Sequence, residues 1–140
     1  MSAFTTEAAV RLKFQLTDET AVPTSLVTSA IEDAHAELLR FLAPAYDVTV
    51  PEAGVASGET LLAGAHVFRA LCGKDALERK RATVGGQRLE TDGRFSALMS
   101  MASLAEEQAW YTLEPYLARR PALTGAATTD SRPVFGGGPQ

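Results

Sequence analysis

Residues 30–46 read Ala30-Ile-Glu-Asp-Ala-His-Ala-Glu-Leu-Leu-Arg-Phe-Leu-Ala-Pro-Ala-Tyr46. Val27, Ile31, Ala34, Leu38 and Leu42 fall at steps of three and four through this stretch, which is the spacing of one buried helix face. Pro23 precedes the helix, Thr24 or Ser25 can cap it, and Pro44 ends it. The same stretch sets Glu32, Asp33 and Glu37 around His35, one of two histidines in the chain. On a helix, Glu32-x-x-His35 is half of the motif used by di-iron bundles. The other half is missing, because the residue three before His66 is Ala63. Glu32, His35 and Glu37 lie beside or opposite the apolar stripe, so the reading favours a solvated or subunit-facing flank over a metal site.

Working outward, the rest of the chain is also read as helical. Thr5 or Thr6 can cap a short first helix carrying Glu7, Val10, Leu12 and Phe14. Residues 45–58 contain Pro51, Gly54 and Gly58 and predict a loop. Ser57 then caps a third helix, with Leu61, Ala65, Phe68 and Cys72 on one face and Gly73 as a stop or weak point that the polar 75–82 can continue past. Gly85-Gly86 within residues 82–91 signals a short β-hairpin, with a plain loop as the alternative. Asp92 caps the last and longest helix, whose stripe is Phe95, Leu98, Ala102, Ala105, Ala109, Leu113 and Tyr116. Pro115 kinks or breaks it. The fold class is all-α: a small bundle of about four helices in residues 1–118, followed by an extended Pro/Gly-rich C-terminal arm, 119–140, with no amphipathic period.

Composition narrows the function classes. The 140 residues are 46% hydrophobic and 21% charged, enough for one sizeable core. No apolar run approaches the roughly 18 residues that span a bilayer, and the N-terminus lacks a signal-peptide core, so a soluble cytoplasmic chain without membrane contact is expected. The single Cys72 rules out an internal disulfide and the multi-cysteine zinc patterns. It sits among Phe68, Ala70 and Leu71, where a cysteine is usually inert. Neither a Gly-x-Ser-x-Gly elbow, a His-Glu-x-x-His pair nor a phosphate loop occurs, so no catalytic residue, metal ligand or cofactor is assigned and the chain is read as a non-enzyme.

Charge is uneven. Residues 1–63 carry three Lys/Arg against nine Asp/Glu, and residues 64–140 carry ten against eight. Such asymmetry suits copies that pack head to tail, with Glu32, Asp33 and Glu37 of one facing Arg79, Lys80 and Arg81 of the next. Glu78, Glu90 and Asp92 dilute the basic region and no aromatic residues interleave it, so nucleic-acid binding is the weaker reading. On the arm, Arg119, Arg120, Arg132, Val134 and Phe135 are the candidate partner-binding residues, with Val134 and Phe135 as apolar anchors.

The order of features resembles the head–tail connector (adaptor) proteins of tailed bacteriophages and phage-like particles. The resemblance rests on the threonine-capped opening FTTEAAVRLKFQLTD and on a second helix with Ala30-Ile31, Ala34, Leu38, Phe41-Leu42 and Tyr46. A proline-containing loop, a Leu/Ala-rich third helix, a Gly-containing excursion and a long last helix complete it, over residues 4–117. It implies a structural virion protein forming a ring, usually of twelve copies, beneath the portal protein. The ring would link the DNA-filled head to a downstream neck or tail protein. The implied location is the virion neck, with assembly in the host cytoplasm and non-specific contact with packaged DNA in the channel. The alternatives are a tail-completion protein of the same particle and a small helical DNA-binding regulator.

Overall fold

The computed structural model describes residues 2–81 and 88–122; of residues 79–81 and 88–92 only the backbone is described. Four helices make up the described chain: α1 (Glu7–Phe14), α2 (Thr24–Leu39), α3 (Ala53–Arg81) and α4 (Arg88–Leu113). Single 3-10 turns at Pro44–Tyr46 and Glu114–Tyr116 follow α2 and α4. Among the described residues there is no strand, only one antiparallel bridge between Leu42 and Leu117.

Thr6 caps α1, its hydroxyl accepting from the Ala9 amide at 3.2 Å. The helix ends at Gln15, a non-glycine residue in left-handed conformation (φ 58°). Arg11 then braces the turn that follows. Its guanidinium donates to the Leu16 and Val22 carbonyls at 3.0 and 2.7 Å and to Glu7 Oε1 at 2.8 Å. Pro23, rather than a hydroxyl, occupies the N-cap of α2, and the Thr24 hydroxyl donates to Glu7 instead, at 2.9 Å. Glu7 thereby ties α1 to the start of α2. The stripe expected for α2 is its buried face: Val27, Ile31, Ala34 and Leu38 are all covered, as is Leu42 just beyond the helix end.

The third helix departs from expectation at both ends. It begins at Ala53, four residues before Ser57, and runs unbroken through Gly73 to Arg81. Gly54 and Gly58 lie within it and serve close packing: a Cβ at Gly58 would overlap the Leu113 side chain, and one at Gly64 the Phe14 ring. Glycine spacing that reads as loop punctuation in the sequence is here an imprint of neighbouring helices. Gly73, by contrast, faces open space.

α4 also starts early. Residues 88–91 are its first turn, so the second strand of the expected hairpin is not formed and Asp92 is not the cap; residues 82–87 lie outside the described residues. At 29 residues α3 is longer than the 26-residue α4, reversing the expected order. The two span about 44 and 39 Å at 1.5 Å per residue. They pair antiparallel and make the most extensive contact in the fold, with Leu113 against Gly58 at one end and Arg94 Nε 3.0 Å from Asp75 at the other. Ala102, Ala105, Ala109 and Leu113 face inward as the stripe predicts, with Phe95 and Leu98 partly covered. Pro115 does end the helix. α2 lies across α3, and α1 packs in the angle between them through Val10 and through Phe14, whose ring meets Phe68 edge-on.

Two outcomes follow. Gly58→Ala should lower stability by about 1–3 kcal/mol through overlap with Leu113, whereas Gly73→Ala should raise it by up to about 1 kcal/mol through helix propensity alone; urea unfolding midpoints distinguish the two. Hydrogen bonds from Arg11 and Thr24 hold the Glu7 carboxyl below the usual carboxylate pKa. Its contribution is therefore present above the ordinary carboxylate pKa and lost as pH falls through the lowered folded value. Glu7→Gln should be less stable than the parent at neutral pH, and the gap should close on acidification, as followed by thermal melts across pH.

Candidate functional site

The polar centre of the molecule is Glu59, a fully buried carboxylate on α3. Its Oε2 accepts from the backbone amides of Phe4 and Thr5 at 2.5 and 2.8 Å, and its Oε1 lies 2.6 Å from His35 Nδ1. Beside it, the Thr5 and Thr60 hydroxyls are 2.6 Å apart, and Thr60 also donates to the Ala56 carbonyl. Phe4 packs edge-on against the His35 ring, with centroids 4.9 Å apart. One acidic side chain thus gathers the N-terminal segment, α2 and α3.

His35 is buried, which overturns the expectation that it faces water or a neighbouring chain. It stands one position past Ala34, close enough to the covered stripe to turn inward once Glu59 supplies a partner. Its Nε2 has no hydrogen-bond partner. The second histidine forms a mirror pairing, His66 Nε2 on α3 lying 2.9 Å from Glu37 Oε2 on α2. Each helix gives one histidine and one glutamate to the other. Among the described residues no group of three or more His, Cys, Asp or Glu is arranged to hold a metal. Cys72 is buried, and burial together with the nearby Asp75 carboxylate raises its pKa above the ordinary thiol value. It is therefore a protonated core residue at neutral pH.

The expected interface acids separate. Glu32 is exposed on α2. Asp33 and Glu37, one turn apart, line a cleft of about 530 Å³ between α2 and α4, together with Phe41, Glu106, Trp110 and Pro121. Glu106 pairs with Arg69 of α3. A smaller cleft of about 210 Å³ on the other side of Trp110 is bounded by Glu107, Tyr111, Glu114 and Leu117. The Trp110 indole is buried between the two, edge-on to Phe41 at 5.4 Å, and its Nε1 finds no acceptor.

Of the arm residues, Arg119 and Arg120 are engaged by the chain itself. Arg119 donates to the Arg40 carbonyl at 3.2 and 3.3 Å and lies over the Phe41 ring, and Arg120 pairs with Glu114. The backbone bonds Ala43 N–H to Tyr116 O and Ala118 N–H to Phe41 O, at 3.0 and 2.7 Å, stitch the end of α4 to the end of α2. Arg132, Val134 and Phe135, and the side chains of Arg79, Lys80 and Arg81, lie outside the described residues. The sequence does not mark Glu59 as central, because a lone Glu after Gly58 near the start of a helix reads as solvated; the adjacent run of small and apolar residues, Leu61 to Ala65, is the signal that points the other way.

Comparisons with protein-family models, with curated proteins and with solved structures find no match to this chain.

Glu59→Gln keeps the size of the side chain but weakens its acceptor pair, and should cost about 1.5–3 kcal/mol, the range for hydrogen bonds to charged groups. Glu59→Leu should cost more, about 3–5 kcal/mol, because it also strands His35 and two buried amides. Urea titrations give both values, and the loss should be accompanied by faster amide exchange at Phe4 and Thr5.

Proposed function

We propose that the chain is a non-enzymatic structural protein that works as a repeated subunit, and that its role is that of a head–tail adaptor: a ring beneath the portal of a phage-like particle, joining the head to neck or tail proteins. The observation that carries the reading is the outer face of α4. Ala97, Met101, Leu104, Gln108 and Tyr111 are all exposed and follow steps of four and three, the spacing of a seam between two helices. Met101, Leu104 and Tyr111 are 45%, 56% and 80% accessible, large apolar surfaces that a lone chain gains nothing by presenting.

That stripe is small beside the roughly 800 Å² per partner of a standard interface. A contact of this size holds poorly as an isolated pair, but gains from closure, where every copy makes it twice. The acidic excess of residues 1–63 and the basic excess of residues 64–140 suit a head-to-tail contact of that kind. The internal geometry supports a mechanical role as well. The His–Glu pairs and the α2–α4 stitch fix the helices to one another, giving a stiff block of the sort a load-bearing ring would use.

The test is a mass measurement followed by a binding assay. Native mass spectrometry and sedimentation should detect a closed oligomer, and Leu104→Glu with Tyr111→Glu should reduce it to smaller species while helicity is retained. The purified chain should co-sediment with tailless, DNA-filled heads of its own particle. A monomer at high concentration that also fails to bind heads overturns the reading. Tight, salt-sensitive binding of free DNA would assign the chain to regulation instead.

A further inference from the structure

Residues 2–5 precede α1 and are tied to the bundle at one point. The Phe4 and Thr5 amides donate to Glu59 Oε2, the Thr5 hydroxyl meets that of Thr60, and the Phe4 ring lies edge-on to His35. Among the described residues these are the segment's only hydrogen bonds. α1 has anchors of its own. Val10 is buried, Phe14 packs on Phe68, Glu7 accepts from Thr24, and Arg11 holds the Leu16 and Val22 carbonyls. The segment can therefore leave Glu59 without taking α1 with it.

The anchor is sensitive to a single proton. With Glu59 ionised, its two oxygens take three N–H groups, from Phe4, Thr5 and His35 Nδ1, and His35 Nε2 carries a lone pair. That tautomer suits the surroundings, because Nε2 is buried and no acceptor reaches it. A further proton has no good place. On Oε2 it confronts the two amides. Anywhere else on the pair it leaves an N–H at Nε2, either as the imidazolium or as the tautomer that accepts from a protonated Oε1. A buried donor without an acceptor costs about 1–3 kcal/mol. The charges on the surrounding elements are engaged with one another: Glu7 with Arg11 on α1, Glu37 of α2 with His66 of α3, and Glu106 and Arg94 of α4 with Arg69 and Asp75 of α3. Once residues 2–5 lift away, water can solvate the added proton.

We infer that residues 2–5 are an acid-released strap: uptake of one proton by the Glu59–His35 pair detaches the segment while the helices stay folded. The closed form binds one proton fewer than the open form, so opening becomes easier as pH falls. This is a local opening, separate from global unfolding. Release uncovers a hollow lined by His35, Glu59 and Thr60. It also frees a short tail carrying Ala3 and Phe4, both packed against the core while the strap is closed. The inference stands on this cluster alone and does not rest on the assembly reading above.

Amide hydrogen exchange of the full-length protein, followed residue by residue by NMR from neutral pH downward, tests the strap. Protection at Phe4 and Thr5, corrected for intrinsic exchange, should fall by up to about tenfold per pH unit, the slope of a single proton. Over the same range the buried Leu62 amide should keep its protection, and the emission of Trp110, the only tryptophan, should not shift. Glu59→Gln should leave both amides poorly protected at every pH, without the slope. Protection at Phe4 and Thr5 that is flat with pH, or that is lost only together with Leu62, overturns the inference. A slope that persists in Glu59→Gln places the proton on another group and overturns it as well.

Discussion

A carboxylate with no exposed surface has to be surrounded by donors, and Glu59 obtains them from three separate parts of the chain. Two amides come from residues 4 and 5, an imidazole from α2, and the side chain itself rises from α3. None of these groups is close to Glu59 in sequence, so none can be satisfied until the tertiary fold is complete. The consequence is specificity rather than raw stability. Apolar faces such as those of α2 and α3 tolerate sliding and rotation at modest cost, but a register error of one residue would strand the carboxylate and at least two backbone amides. The mirror pair, Glu37 with His66, adds a second fixed point along the same two helices. Two points fix both the height and the crossing of α2 on α3.

With that register set, the remaining packing follows from size. α3 is rich in small residues where other elements come closest: Leu113 sits over Gly58, Tyr116 over Gly54 and Phe14 over Gly64. Large side chains on the outer elements enter spaces left on the central helix, so α3 acts as the common surface for α1, α2 and α4. The aromatic pairs Phe14–Phe68, Phe41–Trp110 and Tyr46–Tyr116 meet edge-on at separate junctions. Each adds about 1 kcal/mol beyond its buried area.

How much of this could be read in advance depends on whether the signal is local. The buried face of α2 and the stripe Ala102–Ala105–Ala109–Leu113 of α4 were legible because helical periodicity is a property of the segment itself. The Thr6 cap and the break at Pro115 were legible for the same reason. The start of α3 was not, since Gly54 and Gly58 carry turn propensity that tertiary contact overrides; a glycine opposite Leu113 and a glycine in a loop look identical in one dimension. His35 shows the same limit for the site. Its position at the edge of the apolar stripe is compatible with either face, and only the arrival of Glu59, 24 residues away in sequence, decides it. Helical spacing sets Glu32, Asp33 and Glu37 on one helix, but the cleft that Asp33 and Glu37 line without Glu32 needs Trp110 and Pro121, which no spacing rule brings to them.

Both ends of the described chain contact α2, although the N-terminal amides themselves are bonded by Glu59 of α3. α2 presents His35 to the Glu59 centre that fixes residues 4 and 5, and the segment leaving α2 presents Phe41 to Trp110 and accepts the Ala118 amide. Arg119 extends that attachment by bonding the Arg40 carbonyl and lying over Phe41. The chain beyond Ala118 therefore touches the ends of both α2 and α4, through Arg119 on the Arg40 carbonyl and Arg120 on Glu114. His35 and Glu37 in turn hold α2 to α3. The C-terminal segment is thus joined to the end of α2, and α2 is joined to α3 through two histidine–glutamate pairs.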